Sequence, residues 1–163
     1  MYILGINAYH GDAAACLLKD GVVVSATEEE RFTRVKHWAG FPAEAIKFCL
    51  QDEGISIEHV DYITMSRDPK ANFYKKIIHS LRYSISLSAI WERFMSSKKA
   101  KSVKAELSSV LELPQSSIKG KIFNIEHHRS HLASSFFSSR FKESAILSID
   151  GFGDFTSTMT AVG

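Results

Sequence analysis

The 163-residue sequence has two cysteines, three prolines and no long apolar run. A membrane-spanning helix needs about 20 apolar residues, so we predict no membrane association. The start, MYILGINAYHG, lacks the basic and apolar regions of a signal peptide, and we expect a cytoplasmic protein. Cys16 and Cys49 lie in apolar stretches without CxxC spacing. This context favours buried thiols over metal-binding or catalytic cysteines.

The apolar pattern predicts an α/β protein. Three apolar segments at the start, YILGINAY, AAACLLKDG and VVVSATEEE, read as an antiparallel strand trio with Asp20-Gly21 as a hairpin turn. A helix begins after Pro42 and ends at Gly54, and VDYITMS reads as a strand. Later come the strand KIFNIEH, a helix over 127–139, the strand SAILSID, a glycine turn and the strand FTSTMTAV.

Two segments of the sequence echo each other. YILGINAYHGDAAACLLKDG and AILSIDGFGDFTSTMTAVG both run from an apolar strand through a turn with Gly and Asp into a second strand. Two half-domains that open with the same hairpin are typical of the actin-like ATPase (ribonuclease H-like) fold, whose ligand cleft lies between the halves. On this interpretation residues 1–143 form the first half and residues 144–163 open the second, which is truncated. The alternative is that two short hairpins merely look alike.

The segment EHHRSH contains three histidines. On a helix, residues i and i+4 share a face, with Cβ atoms about 6 Å apart, so His127 and His131 can bind one metal ion. Asp150 ends a strand at the edge where this helix begins, which brings its carboxylate within reach. Two imidazoles and a carboxylate suit Fe(II), Mn or Zn; surface or core histidines are the alternative. His128 points about 100° away, and we expect a structural role for it.

Acidic residues in TEEER invite a metal-binding interpretation as well. Neighbouring residues of a strand point to opposite faces. We therefore expect these carboxylates to form ion pairs with nearby arginines rather than bind metal. The residues concerned are Glu28, Glu29 and Glu30, with Arg31 and Arg34 as partners.

Four motifs in order, GINAYHGDAAACLLKDG, TEEERFTRVKHWAGFP, EHHRSHLASSFF and ILSIDGFGD, give the sequence its resemblance to a known family. It resembles the N-terminal part of the O-carbamoyltransferases of nodulation-factor and antibiotic biosynthesis. The resemblance implies an actin-like ATPase domain, like that of the tRNA threonylcarbamoyl transfer protein, followed by a YrdC-like domain. It also implies transfer of a carbamoyl group to a hydroxyl of a small-molecule acceptor, from carbamoyl adenylate made from carbamoyl phosphate and ATP.

The resemblance also implies roles for single residues. His127, His131 and Asp150 are similar to the ligands of Fe(II) or another divalent metal that holds the nucleotide phosphate, with a further carboxylate expected beyond residue 163. His10 is similar to the base near the acceptor hydroxyl, and Lys36 to the cation that meets carbamoyl adenylate. A water-exposed turn residue and a solvated lysine are the alternatives. Asp12 either orients His10 or caps the turn.

Other functions remain open at this point. A tRNA threonylcarbamoyl transferase would share the fold and the metal ligands, and a non-catalytic fragment would bind a partner through its aromatic residues. We expect the 163-residue chain alone to be inactive as a carbamoyltransferase, because the adenylate-forming domain and the other cleft wall are missing. A homodimer through the unpaired edge of FTSTMTAV is a further expectation.

Residues 67–104 carry ten Lys/Arg and two Asp/Glu. This charge could serve RNA, an anionic acceptor, an acidic part of the enzyme, or a solvated helix face. The aromatic residues in the segment suit helix packing and lack RNA-motif spacing; they are Phe73, Tyr74, Tyr83, Trp91 and Phe94. We interpret residues 70–112 as a helical insertion on the acceptor side of the cleft, without nucleic-acid function.

Overall fold

The computed structural model describes residues 1–82 and 102–163. The chain divides into two compact units. The first unit is Met1–Ser66 with Lys101–Asn124, and the second unit is Arg67–Ala100 with Ile125–Gly163. The boundary predicted between residues 143 and 144 concerns two half-domains rather than compact units, and it stays a prediction.

A five-stranded sheet forms the centre of the first unit. Its strands are β1 (Tyr2–Asn7), β2 (Ala14–Lys19), β3 (Val22–Glu28), β4 (Tyr62–Met65) and β5 (Lys121–Asn124). They lie in the order β3-β2-β1-β4-β5, and β1, β2 and β3 pair antiparallel while β4 and β5 are added in parallel. The predicted strand trio and the α/β class are thereby confirmed.

The turn between β2 and β3 has the predicted two residues. Lys19 pairs with Val22, and Asp20 and Gly21 have φ angles of 50° and 85°. Both angles are in the left-handed region, as in the primed turns whose twist matches that of the flanking strands. Asp and Gly are residues that tolerate this conformation.

Helix α2 (Ala43–Asp52) covers one face of the sheet and follows Pro42, as predicted. Its buried residues are Ala45, Ile46, Cys49 and Leu50. Gly54 has a φ of 70°, and the amide groups of Gly54 and Ile55 donate to the carbonyls of Gln51 and Leu50 at 3.0 Å. These bonds satisfy carbonyl groups that the end of the helix leaves unpaired.

The core of the first unit lies between the sheet and its helices. Leu4, Leu17 and Ile63 from the strands are buried together with Leu107 of helix α4 (Val103–Leu111). Burying one such side chain stabilises the fold by about 1.5–3 kcal/mol. Cys49 is buried in this core, whereas Cys16 is half-buried and lies outside it.

The acidic segment ahead of helix α1 (Glu30–Thr33) does not form the predicted ion pairs. Glu29 is buried, and its carboxylate accepts hydrogen bonds from the amide groups of Glu44 (3.2 Å) and Ala45 (2.8 Å). The prediction was wrong because Glu29 points inward, where it caps the start of α2. Glu30 accepts from the amide group of His37 at 3.2 Å.

The second unit contains helix α3 (Phe73–Arg82), helix α5 (His127–Phe137) and a hairpin of strands β6 (Ala145–Gly153) and β7 (Thr156–Val162). The predicted glycine turn is wrong in position. Strand β6 continues through both glycines, and Gly153 still pairs with Thr156. The turn is Asp154–Phe155, with φ angles of 47° and 66°, because contacts of this Asp, described below, hold the turn there.

Helices α3 and α4 lie at the two ends of the predicted helical insertion. The segment between them falls outside the described residues, including Tyr83, Trp91 and Phe94. Among the residues that the structure describes, no helix has the length and apolarity that crossing a membrane requires.

Candidate metal centre

Helix α5 presents two histidines one turn apart at its start. Glu126 precedes the helix, and its carboxylate accepts a hydrogen bond from the amide group of Arg129 at 2.8 Å. This cap satisfies one of the amide groups that the first turn leaves unpaired. The first helical residue is His127, so His131 lies on the same face.

Three side chains of the second unit converge at this helix start. His127 Nε2 lies 2.6 Å from Asp150 Oδ2 and 3.1 Å from His131 Nε2. His131 Nε2 lies 3.4 Å from Asp150 Oδ2. The side chain of His127 is 15% exposed, whereas His131 and Asp150 are 50% and 41% exposed. His127 therefore lies on the protein side of the cluster, and the other two side chains reach solvent.

The spacing of these atoms suits a metal ion. Among residues 1–82 and 102–163, His127, His131 and Asp150 form a group whose possible ligand atoms all lie within 4.8 Å of one another. Ligand atoms about 2.1 Å from a shared ion, at bond angles of about 90–109°, lie about 3.0–3.4 Å apart. The two distances from His131 Nε2, 3.1 Å to His127 and 3.4 Å to Asp150, fit this range. The 2.6 Å between His127 and Asp150 is shorter, so the carboxylate needs a small shift away from His127.

The carboxylate of Asp150 is held ionised. The hydrogen bond from His127 is the main cause, with a second bond from the amide group of Gly151, and together they lower the pKa of Asp150 to about 2. A carboxylate only accepts hydrogen bonds, so His127 Nε2 carries the hydrogen between them. A bound metal ion would replace that hydrogen, since metal ligands must be deprotonated.

His128 has the structural place expected for it. Its ring is fully buried, with Nδ1 2.8 Å from Ser148 Oγ and Nε2 2.9 Å from the carbonyl oxygen of Thr156. A carbonyl oxygen only accepts, so Nε2 donates to Thr156, while Nδ1 shares a hydrogen bond with the serine hydroxyl. His128 thereby joins helix α5 to both strands of the hairpin.

The remaining predicted site residues belong to the first unit. His10 follows β1 and is half-buried, and Lys36 is exposed. The Asp12 carboxylate lies 2.8 Å from Nδ1 of His37, a partner that the sequence did not suggest. This hydrogen bond, and then the charge of Asp12, raise the pKa of His37. A carboxylate and an imidazole 25 positions apart give no sequence signal.

Comparison with known proteins settles the family. Residues 2–163 match the family described as Carbamoyltransferase N-terminus. The chain belongs to this family. Its sequence-based assignment to the carbamoyltransferases is thus confirmed.

Relatives of this chain include proteins from bacteria and an archaeon. It is 41% identical to an uncharacterised protein of Synechocystis, with 96% of this chain and 26% of the relative covered. It is 32% identical to the nodulation protein NolNO of Sinorhizobium fredii, with 96% and 22% covered. An uncharacterised protein of Methanocaldococcus jannaschii is 28% identical, with 98% and 24% covered. The chain spans about a quarter of the length of these curated relatives.

A solved structure also shows a partial likeness. YeaZ from Pseudomonas aeruginosa matches with a TM-score of 0.41 and 13% sequence identity, over 99% of this chain and 66% of the other. We draw no conclusion about fold or function from this weak similarity. The α/β class of the chain follows from its own sheet and helices.

Proposed function

We propose that this protein is an O-carbamoyltransferase that moves a carbamoyl group from carbamoyl adenylate to a hydroxyl of a small-molecule acceptor. Family membership supports the reaction class. The observation that carries the proposal is the cluster of His127, His131 and Asp150, whose ligand atoms lie within 4.8 Å of one another in a chain of this family.

In this proposal His127, His131 and Asp150 hold a divalent metal ion. Two imidazoles and a carboxylate suit Fe(II), Mn(II) or Zn(II). When bound, the ion supplies positive charge for the phosphate of the nucleotide. The protein contributes the ionised Asp150 carboxylate, whose lowered pKa keeps its negative charge in acidic solution as well as at neutral pH.

Transfer of the carbamoyl group requires removal of a proton. The acceptor oxygen bonds to the carbamoyl carbon, the bond from that carbon to the phosphate oxygen of the adenylate breaks, and the hydroxyl hydrogen leaves as a proton. We assign His10 as the base, since an imidazole titrates near neutral pH. Lys36 meets the negative charge that develops on the leaving adenylate.

Asp12 contributes through its partner. Its carboxylate lies 2.8 Å from His37 Nδ1 and raises the pKa of that ring. A raised pKa keeps His37 positively charged over more of the neutral range. His37 therefore suits stabilisation of negative charge, as Lys36 does, better than it suits proton acceptance.

The adenylate comes, in this proposal, from carbamoyl phosphate and ATP on a YrdC-like domain of a longer cytoplasmic protein. The curated relatives are about four times as long as this chain, which covers 26% and 22% of two of them. Such lengths leave room for a second domain. In this proposal the protein binds no nucleic acid.

Replacement of a ligand tests the proposal. In the intact protein, His127→Ala should remove the bound divalent metal, measured by plasma mass spectrometry. It should also abolish carbamoylation of hydroxyl acceptors, measured by product mass with carbamoyl phosphate and ATP. His59→Ala, an exposed histidine of the first unit, is the matched control and should keep both. Metal content and transfer that survive His127→Ala would reject the assignment.

A further inference from the structure

Gly153 of the β6–β7 hairpin lies directly against the ring of His127. A Cβ atom built on Gly153 would lie 2.0 Å from His127 Cδ2 and 2.3 Å from its Cγ. These distances are far below any real Cβ contact. The backbone of Gly153 is not in the left-handed region, so glycine is required here by space rather than by conformation.

Asp154 holds the main chain of the same histidine. Its Oδ2 accepts hydrogen bonds from the amide groups of His127 (2.9 Å) and Asp68 (2.7 Å). The amide group of His127 is the first of helix α5, and it has no partner within the helix. A carboxylate at a helix start is also favoured by the helix dipole. Asp154 thus fixes where the helix begins.

The turn that presents Asp154 is itself held in place. Asp154 and Phe155 both have left-handed φ angles, a conformation that costs about 1–3 kcal/mol for each such residue. The side-chain amide of Asn72 donates to the carbonyl oxygen of Asp154 (2.9 Å) and to Thr156 Oγ1 (3.0 Å). These bonds offset part of the strain and keep the carboxylate aimed at His127.

We propose that Gly153 and Asp154 are positioning residues of the metal centre. Gly153 sets where the His127 imidazole can lie, and Asp154 sets the position of its main chain. Together they place Nε2 against Asp150 and His131. The inference rests on the proposed function, which makes His127 a metal ligand, and it gives the Asp-Gly-Phe-Gly-Asp segment over residues 150–154 a physical role.

The first test compares two glycines of the same strand. In the intact protein, Gly153→Ala should weaken Co(II) binding by about 10- to 100-fold, as loss of supporting contacts does at metal sites. It should also change the visible spectrum of bound Co(II), which reports the ligand geometry. Gly151→Ala is the control, since a Cβ there meets nothing within 4 Å. Wild-type affinity and spectrum in Gly153→Ala would overturn the proposal.

Asp154 is tested by a pair of variants. Asp154→Ala should weaken Co(II) binding in the same range, because the first amide group of α5 loses its acceptor. Asp154→Asn keeps one acceptor oxygen and tolerates left-handed φ, so it should restore most of the affinity. Equal losses in the two variants, or no loss in Asp154→Ala, would contradict the hydrogen-bond role. Circular dichroism checks that each variant folds.

A metal-free measurement separates the two proposals. In protein labelled at histidine, NMR of the ring signals should show a shift of His127 in Gly153→Ala but not in Gly151→Ala. His37, in the first unit, provides an internal reference. If the wild type binds no Co(II), the proposed metal-binding function is rejected. The ring signals still test whether Gly153 positions the His127 ring. An unmoved His127 signal in Gly153→Ala would reject the positioning.

Discussion

The β1–β2 hairpin buries large apolar side chains, whereas the β6–β7 hairpin leaves them exposed. In β1 and β2, Leu4 and Leu17 are fully buried. In β6, Leu147 and Ile149 are 60% and 73% exposed, while His128 and Ser148 are buried beside the hairpin. The same strand-turn-strand pattern therefore forms an apolar core in the first unit and a polar, hydrogen-bonded layer in the second.

This difference shows what each hairpin depends on. Apolar burial is not directional and tolerates small shifts. Buried polar groups must be hydrogen-bonded, so their partners fix position closely. The β6–β7 hairpin, which presents Asp150, Gly153 and Asp154 to His127, is held by hydrogen bonds, the kind of contact that sets geometry.

The largest loss of stability is expected from Leu17→Ala. The side chain is fully buried between strands and helices, so its truncation should lower the free energy of unfolding by about 2–5 kcal/mol. Chemical denaturation measures this. Leu147→Ala, on the exposed face of β6, should stay within about 0.5 kcal/mol. A comparable loss in both variants would show that the apolar face of β6 is covered in the intact protein, and the contrast between hairpins would fail.

An intermediate effect is expected from His128→Leu. Leucine fills much of the space but leaves Ser148 Oγ and the carbonyl oxygen of Thr156 without the partner that His128 gives them. Ser148 Oγ is the buried member of this pair, and leaving it unsatisfied costs about 1–3 kcal/mol of folding free energy. Hydrogen exchange should speed up in α5 and β6 while β1 and β2 stay protected. Unchanged exchange in α5 would mean that His128 does not join the helix to the hairpin.

The smallest effect is expected from Asp12→Asn, which should change a titration rather than stability. The wild-type pKa of His37 is raised by Asp12, so NMR should show His37 titrating above about 6.5 and closer to that value in the variant. A raised folded-state pKa means that the pair stabilises the fold at low pH, and that this contribution fades as the pH rises through it. An identical titration in Asp12→Asn would rule out the pairing.

Local patterns were enough to predict much of the structure. Periodicity and turn residues predicted the strand trio, the Asp20-Gly21 turn and helix α2, because each depends on residues close in sequence. The convergence of His127 and Asp150 was also predictable, since a helix start and a strand end meet at one edge. Whether these side chains bind metal stays a prediction.

What the sequence did not predict depends on contacts between distant residues. Asp154 takes the turn because Asn72, His127 and the amide group of Asp68 hold it, and glycines nearby pointed to the wrong turn position. Glu29 caps a helix that begins 14 positions later, at Ala43. No local pattern marks either residue, because the partner lies in another element.

The buried thiol of Cys49 can report how often helix α2 separates from the sheet of the first unit. The thiol is fully buried, its Sγ lies 3.6 Å from the carbonyl oxygen of Ala15, and burial raises the pKa of both Cys49 and Cys16. The reactive form of cysteine is the thiolate. Cys49 therefore reacts slowly with alkylating reagents while α2 covers the sheet. The rate at which Cys49 is alkylated therefore measures how often helix and sheet separate, without any engineered label.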